Sequence, residues 1–283
     1  MSNSSSTNID TSLAPTSTPI ISGKRFSNQV IAITGGLGGI GIATIRRFHA
    51  EDGKVLIIDT LKSDHERVTT LLHELNTLRS NSAKYFQIDV SNETEVLQKF
   101  SSSEALEYGP IDVLVTMAAV FTYGEVHIAT DEDWNKVLGV NIKGTAFCCK
   151  AVLPSMRERK QGSIVTVSSI TGTIAFPAFV PYSATKAAII QMTRDMALDN
   201  GYLNVRVNCV APGPIYTHGG TAAHAKNEGK ELKQLVTELG NDTCLKRMGT
   251  IDECAAAVAF IASSEASYIT GTVLHVDGGF QRK

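Results

Sequence analysis

A tyrosine and a lysine stand four residues apart in Tyr182-Ser183-Ala184-Thr185-Lys186, at the start of a segment with helical periodicity. This spacing places both side chains on one face of a helix, within reach of the same small molecule. A free phenol has a pKa of ~10 and is a poor base at neutral pH, but a neighbouring ammonium favours the phenolate and lowers that pKa. The pair can therefore exchange a proton with a substrate. Taken alone, the pattern also occurs by chance on protein surfaces.

A run of glycines, Thr34-Gly35-Gly36-Leu37-Gly38-Gly39-Ile40-Gly41, follows a short apolar segment and opens into a helical one. Backbone without Cβ atoms lets a pyrophosphate approach closely, and a helix N-terminus offers it unpaired N–H groups. Two registers fit the run, one through Gly36, Gly38 and Gly41 and the other through Gly35, Gly39 and Gly41. Because a strand precedes the glycines and a helix follows them, the run predicts dinucleotide binding.

An acidic residue, Asp59, ends the second apolar segment, 18 residues after Gly41. A carboxylate at this position can accept hydrogen bonds from the adenosine ribose hydroxyls. It would repel the additional phosphate of NADP, and Thr60 rather than a basic residue follows it, so the sequence predicts a preference for NAD. The alternative, NADP bound beside a rotated Asp59 and a reaching Lys62, remains open.

The elements that must position these residues form an alternating series of strands and helices from Gln29 onward. Apolar runs rich in Val and Ile are typical of buried parallel strands, and we assign them to Val30–Ile33, Lys54–Ile58, Lys84–Val90, Ile111–Met117, Ile164–Val167, Val205–Val210 and Val273–Val276. Between them, the spacing of Val68, Leu71, Leu72, Leu75 and Leu78 places all five side chains on one helix face. This alternation predicts an α/β fold with a doubly wound parallel sheet of about seven strands and helices on both faces.

The order of the motifs resembles the short-chain dehydrogenase/reductase family from about Gln29 to Gly279. The likeness rests on Thr34-Gly35-x-x-x-Gly39-x-Gly41, Asp89-Val90, Asn141 with Gly144, Ser169 thirteen residues before Tyr182, Lys186, Pro212-Gly213 and Asp277-Gly278-Gly279. The resemblance implies a Rossmann fold in one domain, residues 24–283, and the glycine register through Gly35, Gly39 and Gly41.

The resemblance also implies an NAD(P)-dependent oxidoreductase acting on CH–OH groups, which moves a hydride between a nicotinamide cofactor and a secondary alcohol or ketone. Tyr182 would be the general acid/base, and Lys186 would lower its pKa and hold the nicotinamide ribose. Ser169, rather than the adjacent Ser168, would hydrogen-bond the reacting oxygen. Asn141 would keep a water in the proton relay.

The cofactor contacts implied by the resemblance extend along the carboxyl edge of the sheet. Asp89 and Val90 are expected beside the adenine, Ile215 at the nicotinamide carboxamide through its backbone, and Thr217 near it or the phosphates. The full set is Gly35, Gly39, Ile40, Gly41, Asp59, Asp89, Val90, Ala118, Tyr182, Lys186, Ile215 and Thr217. No metal site is expected.

One segment departs from the family pattern. Where the family has Asn-Asn-Ala-Gly after the fourth strand, this chain has Thr116-Met117-Ala118-Ala119. Thr116 can still donate and accept a hydrogen bond, whereas Met117 only fills space. We therefore expect a loosened site with weaker cofactor affinity and an unchanged reaction.

The substrate should lie beyond the carboxyl ends of the strands, beside Val120–Gly124, Ile170–Val180 and an insertion from Pro214 to about Leu245. The first two segments contain Phe121, Tyr123, Phe176, Pro177 and Phe179, which favour an apolar or ring-containing substrate. Alternatively, half of these rings pack in the core. The insertion resembles a mobile substrate lid, with a helix predicted over Lys230–Leu239. His218 within it either touches substrate or is solvated.

The composition excludes several other functions for these 283 residues. With 28 acidic and 26 basic side chains and a net charge of −2, nucleic-acid binding is not expected. Five cysteines without a C-x-x-C pair predict reduced thiols, and no uninterrupted apolar stretch reaches the ~18 residues of a membrane span. The Ser/Thr-rich residues 1–23 predict a disordered tail, and their lack of a targeting pattern predicts a cytoplasmic protein.

The sequence also bears on the assembly of the protein and on alternative functions of the same fold. The resemblance implies a homodimer or homotetramer. A non-catalytic dinucleotide-binding regulatory or scaffold protein could use the same fold, as could an NADP-dependent ketoreductase, an epimerase or a dehydratase.

Overall fold

A seven-stranded parallel sheet forms the centre of the computed structural model, which describes residues 24–282. The strand order is β3-β2-β1-β4-β5-β6-β7. The strands are β1 (Val30–Thr34), β2 (Lys54–Asp59), β3 (Ala83–Gln87), β4 (Val113–Thr116), β5 (Gly162–Val167), β6 (Val205–Pro212) and β7 (Val273–Val276). The predicted disordered tail, residues 1–23, lies outside the described residues.

The predicted strands occur in the structure with shifts at their ends. Every residue of β1 is buried, as expected for a central strand covered on both faces. The third strand is shorter than predicted, since it ends at Gln87 rather than Val90. Ile88 still donates its N–H to the carbonyl oxygen of Asp59, and the chain then turns into the next helix through Asp89 and its neighbours.

Ten α-helices surround the sheet in the described part of the chain. They are α1 (Gly39–Ala50), α2 (Glu66–Leu78), α3 (Glu93–Phe100), α4 (Ser103–Leu106), α5 (Asp131–Val137), α6 (Thr145–Arg159), α7 (Val180–Asn200), α8 (His218–Asn227), α9 (Leu232–Asp242) and α10 (Ile251–Ala262). One buried cluster joins the sheet to α1, α2 and α10, and a second joins it to α3 and α6. The doubly wound α/β prediction is confirmed.

One detail of the predicted helix face was wrong. Val68, Leu71 and Leu75 of α2 are buried, and Leu72 packs against the same cluster, but Leu78 is 74% exposed. Leu78 is the last residue of the helix. Periodicity alone places Leu78 on the apolar face. It does not show that the buried part of this face ends at Leu75, one turn earlier.

A continuous helical run, residues 131–159, comprises α5, a π-helical turn at Leu138–Gly144 and α6. By length and composition alone it is the one helix among residues 24–282 that could cross a membrane. Its α6 part packs against β4 and β5, and Cys148, Cys149, Val152 and Met156 belong to the second core cluster. These contacts identify it as a core helix of the α/β domain.

The strand order reverses between β1 and β4, which are neighbours in the sheet although β2 and β3 lie between them in sequence. In open α/β sheets such a reversal leaves a crevice beyond the carboxyl ends of the strands, where ligands bind. The glycine loop follows β1, Met117–Ala119 follow β4, and Ser168 and Ser169 follow β5. The topology therefore brings the predicted motifs to one edge.

Candidate active site

The glycine loop between β1 and α1 is packed so closely that side chains are excluded at several positions. Gly35 has a φ of +64°, and a Cβ atom there would lie 2.7 Å from Cα of Ala118. A Cβ on Gly41 would lie 2.4 Å from the carbonyl oxygen of Gly35. The residue before α1 is Gly38, which has no side chain to cap the first N–H groups of the helix. The uncapped start of α1 thus leaves hydrogen-bond donors for a pyrophosphate.

The rest of the predicted loop contacts lie beside these glycines. Ile40 is half-buried and packs on the first core cluster. A Cβ on Gly39 would lie 3.0 Å from the methyl group of Thr217, so the segment after β6 rests on the start of α1. Ile215 is fixed by a bridge to Gly249. The structure therefore brings Gly39, Thr217 and the Ile215 segment together at one edge.

Asp59 lies at the end of β2 and is tied to the same loop. Its Oδ2 accepts a 3.0 Å hydrogen bond from the N–H of Leu37, and its Oδ1 accepts one of 2.8 Å from Thr60. The side chain of Arg67 donates to the carbonyl oxygen of Leu37. One peptide segment is thus flanked by an acidic and a basic side chain. Arg67 was not among the predicted site residues, because it lies in the first turn of α2, outside any glycine-loop motif.

Asp89 and Val90 have different surroundings. Asp89 is exposed, and its Oδ1 accepts hydrogen bonds from the backbone N–H and the hydroxyl of Ser91. Val90 is buried, and a Cβ on Gly144 would lie 2.7 Å from its Cγ2. The close approach of the helical run 131–159 to Val90 therefore needs the glycine. Contact of Asp89 and Val90 with an adenine stays a prediction.

Tyr182 and Lys186 lie in the first two turns of α7, and both are buried. The Lys186 Nζ lies 5.5 Å from the centroid of the Tyr182 ring and donates a 2.9 Å hydrogen bond to the carbonyl oxygen of Val167. The predicted shared helix face therefore occurs. The lysine is anchored to the last residue of β5, which fixes its distance from the phenol.

Burial shifts the pKa values of both groups towards their neutral forms. Burial raises the pKa of Tyr182, and the hydroxyl of Ser169, hydrogen-bonded to the phenol, opposes the rise. Burial lowers the pKa of Lys186 to about 8. The lowering of the tyrosine pKa that we expected from the lysine does not occur in this structure, because a phenolate is poorly stabilised where water is excluded. Tyr182 is therefore protonated at neutral pH.

The two serines after β5 point to different partners. Ser169 is half-buried, accepts a 3.2 Å hydrogen bond from the N–H of Thr171 and contacts the Tyr182 hydroxyl. Ser168 is buried and donates a 2.6 Å hydrogen bond to the carbonyl oxygen of Lys186. Ser169 is thus the one beside the phenol, whereas Ser168 fastens the strand end to α7.

Asn141 lies in the π-helical turn and is completely buried. Its Oδ1 accepts a 2.9 Å hydrogen bond from the N–H of Val120, and its Nδ2 donates to the carbonyl oxygen of Val120 at 3.1 Å. The same Nδ2 donates to Oγ1 of Thr185 at 3.0 Å. Asn141 therefore joins the loop after β4 to the helix that carries Tyr182 and Lys186.

Comparison with known proteins agrees with this geometry. A family model described as enoyl-(acyl carrier protein) reductase matches residues 35–281. The chain is 34% identical over 267 residues to 2-(S)-hydroxypropyl-CoM dehydrogenase 3 of Xanthobacter autotrophicus (strain ATCC BAA-1158 / Py2), covering 90% of this chain and 97% of that protein. It is 36% identical over 256 residues to meso-2,3-butanediol dehydrogenase of Serratia marcescens, covering 90% and 95%.

The chain belongs to the short-chain dehydrogenase/reductase family. Among solved structures, levodione reductase superposes with a TM-score of 0.83 at 28% identity, covering 90% of this chain and 98% of that one. The structure titled ElxO with NADP bound superposes with a TM-score of 0.80 at 28% identity, covering 90% and 99%. The chain is an NAD(P)-dependent oxidoreductase of this family.

The segment that departs from the family pattern is held by Thr34. Oγ1 of Thr34 accepts hydrogen bonds of 3.1 Å from the N–H groups of both Met117 and Ala118. Met117 is half-buried and packs on the first core cluster. Oγ1 of Thr116 is buried without a hydrogen-bond partner. The backbone at this strand end is thus fixed without the two asparagines, and one buried hydroxyl remains unpaired.

Aromatic rings line the crevice beside the phenol. We call Phe121, Tyr123, Phe176, Phe179 and Tyr182 the aromatic wall. Phe121 stacks on Tyr182 with ring centroids 4.4 Å apart, and Phe179 meets Tyr182 edge to face at 6.0 Å. Tyr123 contacts Phe179 at 5.1 Å. Phe121 is 55% exposed and Phe179 is buried, so the wall is part surface and part core.

The predicted lid, residues 214–245, contains α8 and α9. The second helix spans Leu232–Asp242, shifted by two or three residues from the predicted Lys230–Leu239. Lys230 instead precedes the helix, where its Nζ forms ion pairs with Glu228 and Glu238. His218 begins α8, is exposed and contacts the Tyr216 ring at 5.5 Å. His224 faces the aromatic wall, with its ring 5.7 Å from that of Phe179.

These residues fit a nicotinamide dinucleotide. The close-packed glycines and the uncapped start of α1 suit a pyrophosphate, and Asp59 suits a ribose. Lys186 and Ser169 lie beside Tyr182 of the aromatic wall, at the same edge of the sheet. No three His, Cys, Asp or Glu side chains within residues 24–282 are arranged to hold a metal ion.

Proposed function

We propose that this protein transfers a hydride between a nicotinamide cofactor, preferably NAD, and a secondary alcohol or ketone with an apolar or ring-shaped body. The observation that carries the proposal is that Ser169 and Lys186 both lie beside Tyr182, whose ring belongs to the aromatic wall. The names of the relatives support it, because hydroxypropyl-CoM and 2,3-butanediol are secondary alcohols. Levodione reductase, among the structural neighbours, is named for a ketone.

The residues of this chain would supply proton transfer and orientation. A bound nicotinamide supplies or accepts the hydride at the substrate carbon. The hydroxyl of Ser169 hydrogen-bonds the substrate oxygen and orients it towards Tyr182. In the reductive direction the Tyr182 phenol gives its proton to that oxygen. The Lys186 ammonium, held by Val167, stabilises the resulting phenolate until a solvent proton replaces the one transferred.

Asp59 supports the proposed preference for NAD. Its carboxylate is fixed by two backbone N–H groups, from Leu37 and Thr60, which hold its negative charge at the ribose end of the loop. A 2′-phosphate near this carboxylate would be repelled, because two negative charges at short range repel each other.

Arg67 supports the second candidate, an NADP-dependent ketoreductase. Its guanidinium reaches the carbonyl oxygen of Leu37, the residue whose N–H binds Asp59. Arginine is well suited to phosphate binding, and a structural neighbour is titled as NADP-bound. Titration of the protein with NADH and with NADPH, followed by nicotinamide fluorescence, decides between the two candidates.

The variants Asp59→Asn and Arg67→Gln are titrated alongside the native protein. If NAD is preferred, the native protein binds NADH at least tenfold more tightly than NADPH, and Asp59→Asn narrows this ratio. Arg67→Gln then leaves both dissociation constants within twofold. If the native protein prefers NADPH and Arg67→Gln weakens NADPH alone, the NAD proposal is wrong and Arg67 binds the phosphate.

Tyr182→Phe tests the reaction itself, because it removes the proton and keeps the ring. With cyclic ketones and secondary alcohols as substrates, we expect kcat to fall by a factor of about 10² to 10⁴ while NADH binding is retained. Retention of full turnover would refute the role of Tyr182. Tight cofactor binding by the native protein, without turnover of any compound in a broad panel, would instead favour the non-catalytic regulatory or scaffold function.

We also propose that the protein is a homodimer or homotetramer, as its family resemblance implies. Light scattering at micromolar concentration tests this assembly. A monomer under these conditions would overturn it.

A further inference from the structure

The segment Asp277–Gln281, which follows β7, packs against the loop 173–176, which contains Phe176 of the aromatic wall. The Phe280 ring stacks on that of Phe176, with centroids 5.6 Å apart and an interplanar angle of 20°. Nε2 of Gln281 donates a hydrogen bond to Oγ1 of Thr173. Two successive residues of one segment therefore hold the 173–176 loop, one through an apolar contact and one through a polar contact.

The contact at Phe176 continues to the catalytic tyrosine. The Phe176 and Phe179 rings are 5.9 Å apart, and Phe179 meets Tyr182 at 6.0 Å. Phe280 thus occupies the outer end of a row of four rings whose inner end is the proton donor. Phe176 and Phe280 are both half-buried, so this end of the row is partly exposed to solvent.

The same segment is built to keep one conformation. Oδ1 of Asp277 accepts a 2.9 Å hydrogen bond from the N–H of Gly279, and its Oδ2 accepts one of 3.1 Å from Gln281. Gly278 and Gly279 have φ values of +59° and +80°, which favour glycine.

The segment is also tied to the end of the lid. The N–H of Leu245 donates to the carbonyl oxygen of Gly278 at 3.2 Å, and Sγ of Cys244 lies 3.3 Å from the carbonyl oxygen of Gly279. Phe280 is therefore placed by both the glycine turn and the lid.

We infer that Phe280 is a specificity-determining residue, which with Phe176 closes the outer end of the substrate crevice and limits the length of the ring-containing body that fits. The inference rests on the proposed function and adds a size limit to it. The flat stack of two phenyl rings, supported from outside by the Asp277 turn, forms a rigid boundary. A substrate long enough to reach Phe176 from the reacting carbon meets this boundary.

The test compares two ketones that differ only in length, cyclohexanone and 4-phenylcyclohexanone, with native protein and variants. Phe280→Ala should raise the ratio of kcat/KM for the longer ketone over the shorter one at least fivefold, mainly through KM. Phe280→Leu, which keeps an apolar side chain of smaller size, should give a change in the same direction. Phe260→Ala is the matched control, because Phe260 lies on α10 and is 38% exposed.

A ratio within twofold of the native value in Phe280→Ala, with NADH binding unchanged, would overturn the inference. If the native protein reduces neither ketone but turns over other compounds of the panel, the proposed function stands and the size limit is tested by binding. The rise in Tm produced by 4-phenylcyclohexanone in the presence of NADH should then be larger for Phe280→Ala than for the native protein. An equal rise in both overturns the size limit.

Discussion

Asn141 and Thr185 are joined by a 3.0 Å hydrogen bond that links the helical run 131–159 to α7, the helix that contains Tyr182 and Lys186. The hydroxyl of Thr185 in turn donates to the carbonyl oxygen of Tyr182 at 2.7 Å. On its other side, the Asn141 amide is paired with the backbone of Val120. Asn141 thus fixes the distance between the loop after β4 and α7. Its predicted part in a water relay stays a prediction, since the described contacts already use both of its N–H donors.

Replacement of Asn141 by Ala should destabilise the protein. It would leave the N–H and carbonyl groups of Val120 and the hydroxyl of Thr185 without this partner, and each buried polar group left unpaired costs about 1–3 kcal/mol. We expect a loss of roughly 3 kcal/mol in the free energy of unfolding, measured by urea denaturation. Thr185→Val removes one of these bonds and should cost less. A smaller loss for Asn141→Ala than for Thr185→Val would contradict this account.

Lys186→Met should abolish turnover and stabilise the fold at pH 7. The folded pKa of Lys186 is about 8, against an ordinary value of 10.5, so burying the ammonium costs about 3 kcal/mol. The lost hydrogen bond to Val167 destabilises the variant by about 1 kcal/mol. The net gain in its free energy of unfolding is therefore roughly 2 kcal/mol.

The pH dependence of that gain has a definite sign. Below pH 8 the lysine is protonated in both states and the native protein bears the whole penalty. Between about pH 8 and 10.5 the folded state loses the proton while the unfolded state keeps it, so the native protein gains stability as pH rises. The advantage of Lys186→Met should therefore shrink over this range. An advantage that is constant from pH 7 to 10.5 would be inconsistent with a buried, charged lysine.

Thr34→Val should loosen the strand end that replaces the asparagine pair of the family. The variant lacks the hydroxyl that accepts from Met117 and Ala118, and we expect a loss of about 1–3 kcal/mol in stability. Because Gly35 contacts Ala118, NADH binding should weaken as well. Thr34→Ser keeps the hydroxyl and is the control. Equal behaviour of the two variants in denaturation and in NADH titration would argue against this role.

Thr116→Val should have the opposite effect on stability. The Thr116 hydroxyl is buried without a hydrogen-bond partner, and an apolar group of the same shape removes that desolvation penalty. We expect a rise of about 1 kcal/mol in the free energy of unfolding with unchanged NADH affinity. A destabilised Thr116→Val protein would show that the hydroxyl has a partner in solution.

The sheet and the shared helix face of Tyr182 and Lys186 could be predicted because their signals lie in short stretches of sequence. Seven apolar runs marked the strands, and the spacing of Tyr182 and Lys186 placed both on one face of α7. The position of Ser169 beside the phenol agreed with its spacing in the motif.

Other features depend on contacts between distant residues and could not be derived from local pattern. Arg67 reaches Leu37 across 30 positions, and Gln281 reaches Thr173 across 108. The direction of the Tyr182 pKa also depends on burial, which the spacing of Tyr and Lys does not reveal. The exposure of Leu78 could not be derived from local pattern either. The apolar pattern of α2 continues in sequence beyond the part of the helix that packs on the core.

The adjacency of β1 and β4 has a consequence for biosynthesis. The hydroxyl of Thr34 binds the backbone 83 and 84 positions further along the chain, and Gly35 is confined by Ala118. Nascent residues up to Gln87 can pair β1 with β2 and β2 with β3, but the opposite edge of β1 stays open until β4 emerges from the ribosome. The glycine loop is therefore completed only after β4 has been synthesised, and until then the open edge of β1 can pair with a wrong strand or be bound by a chaperone.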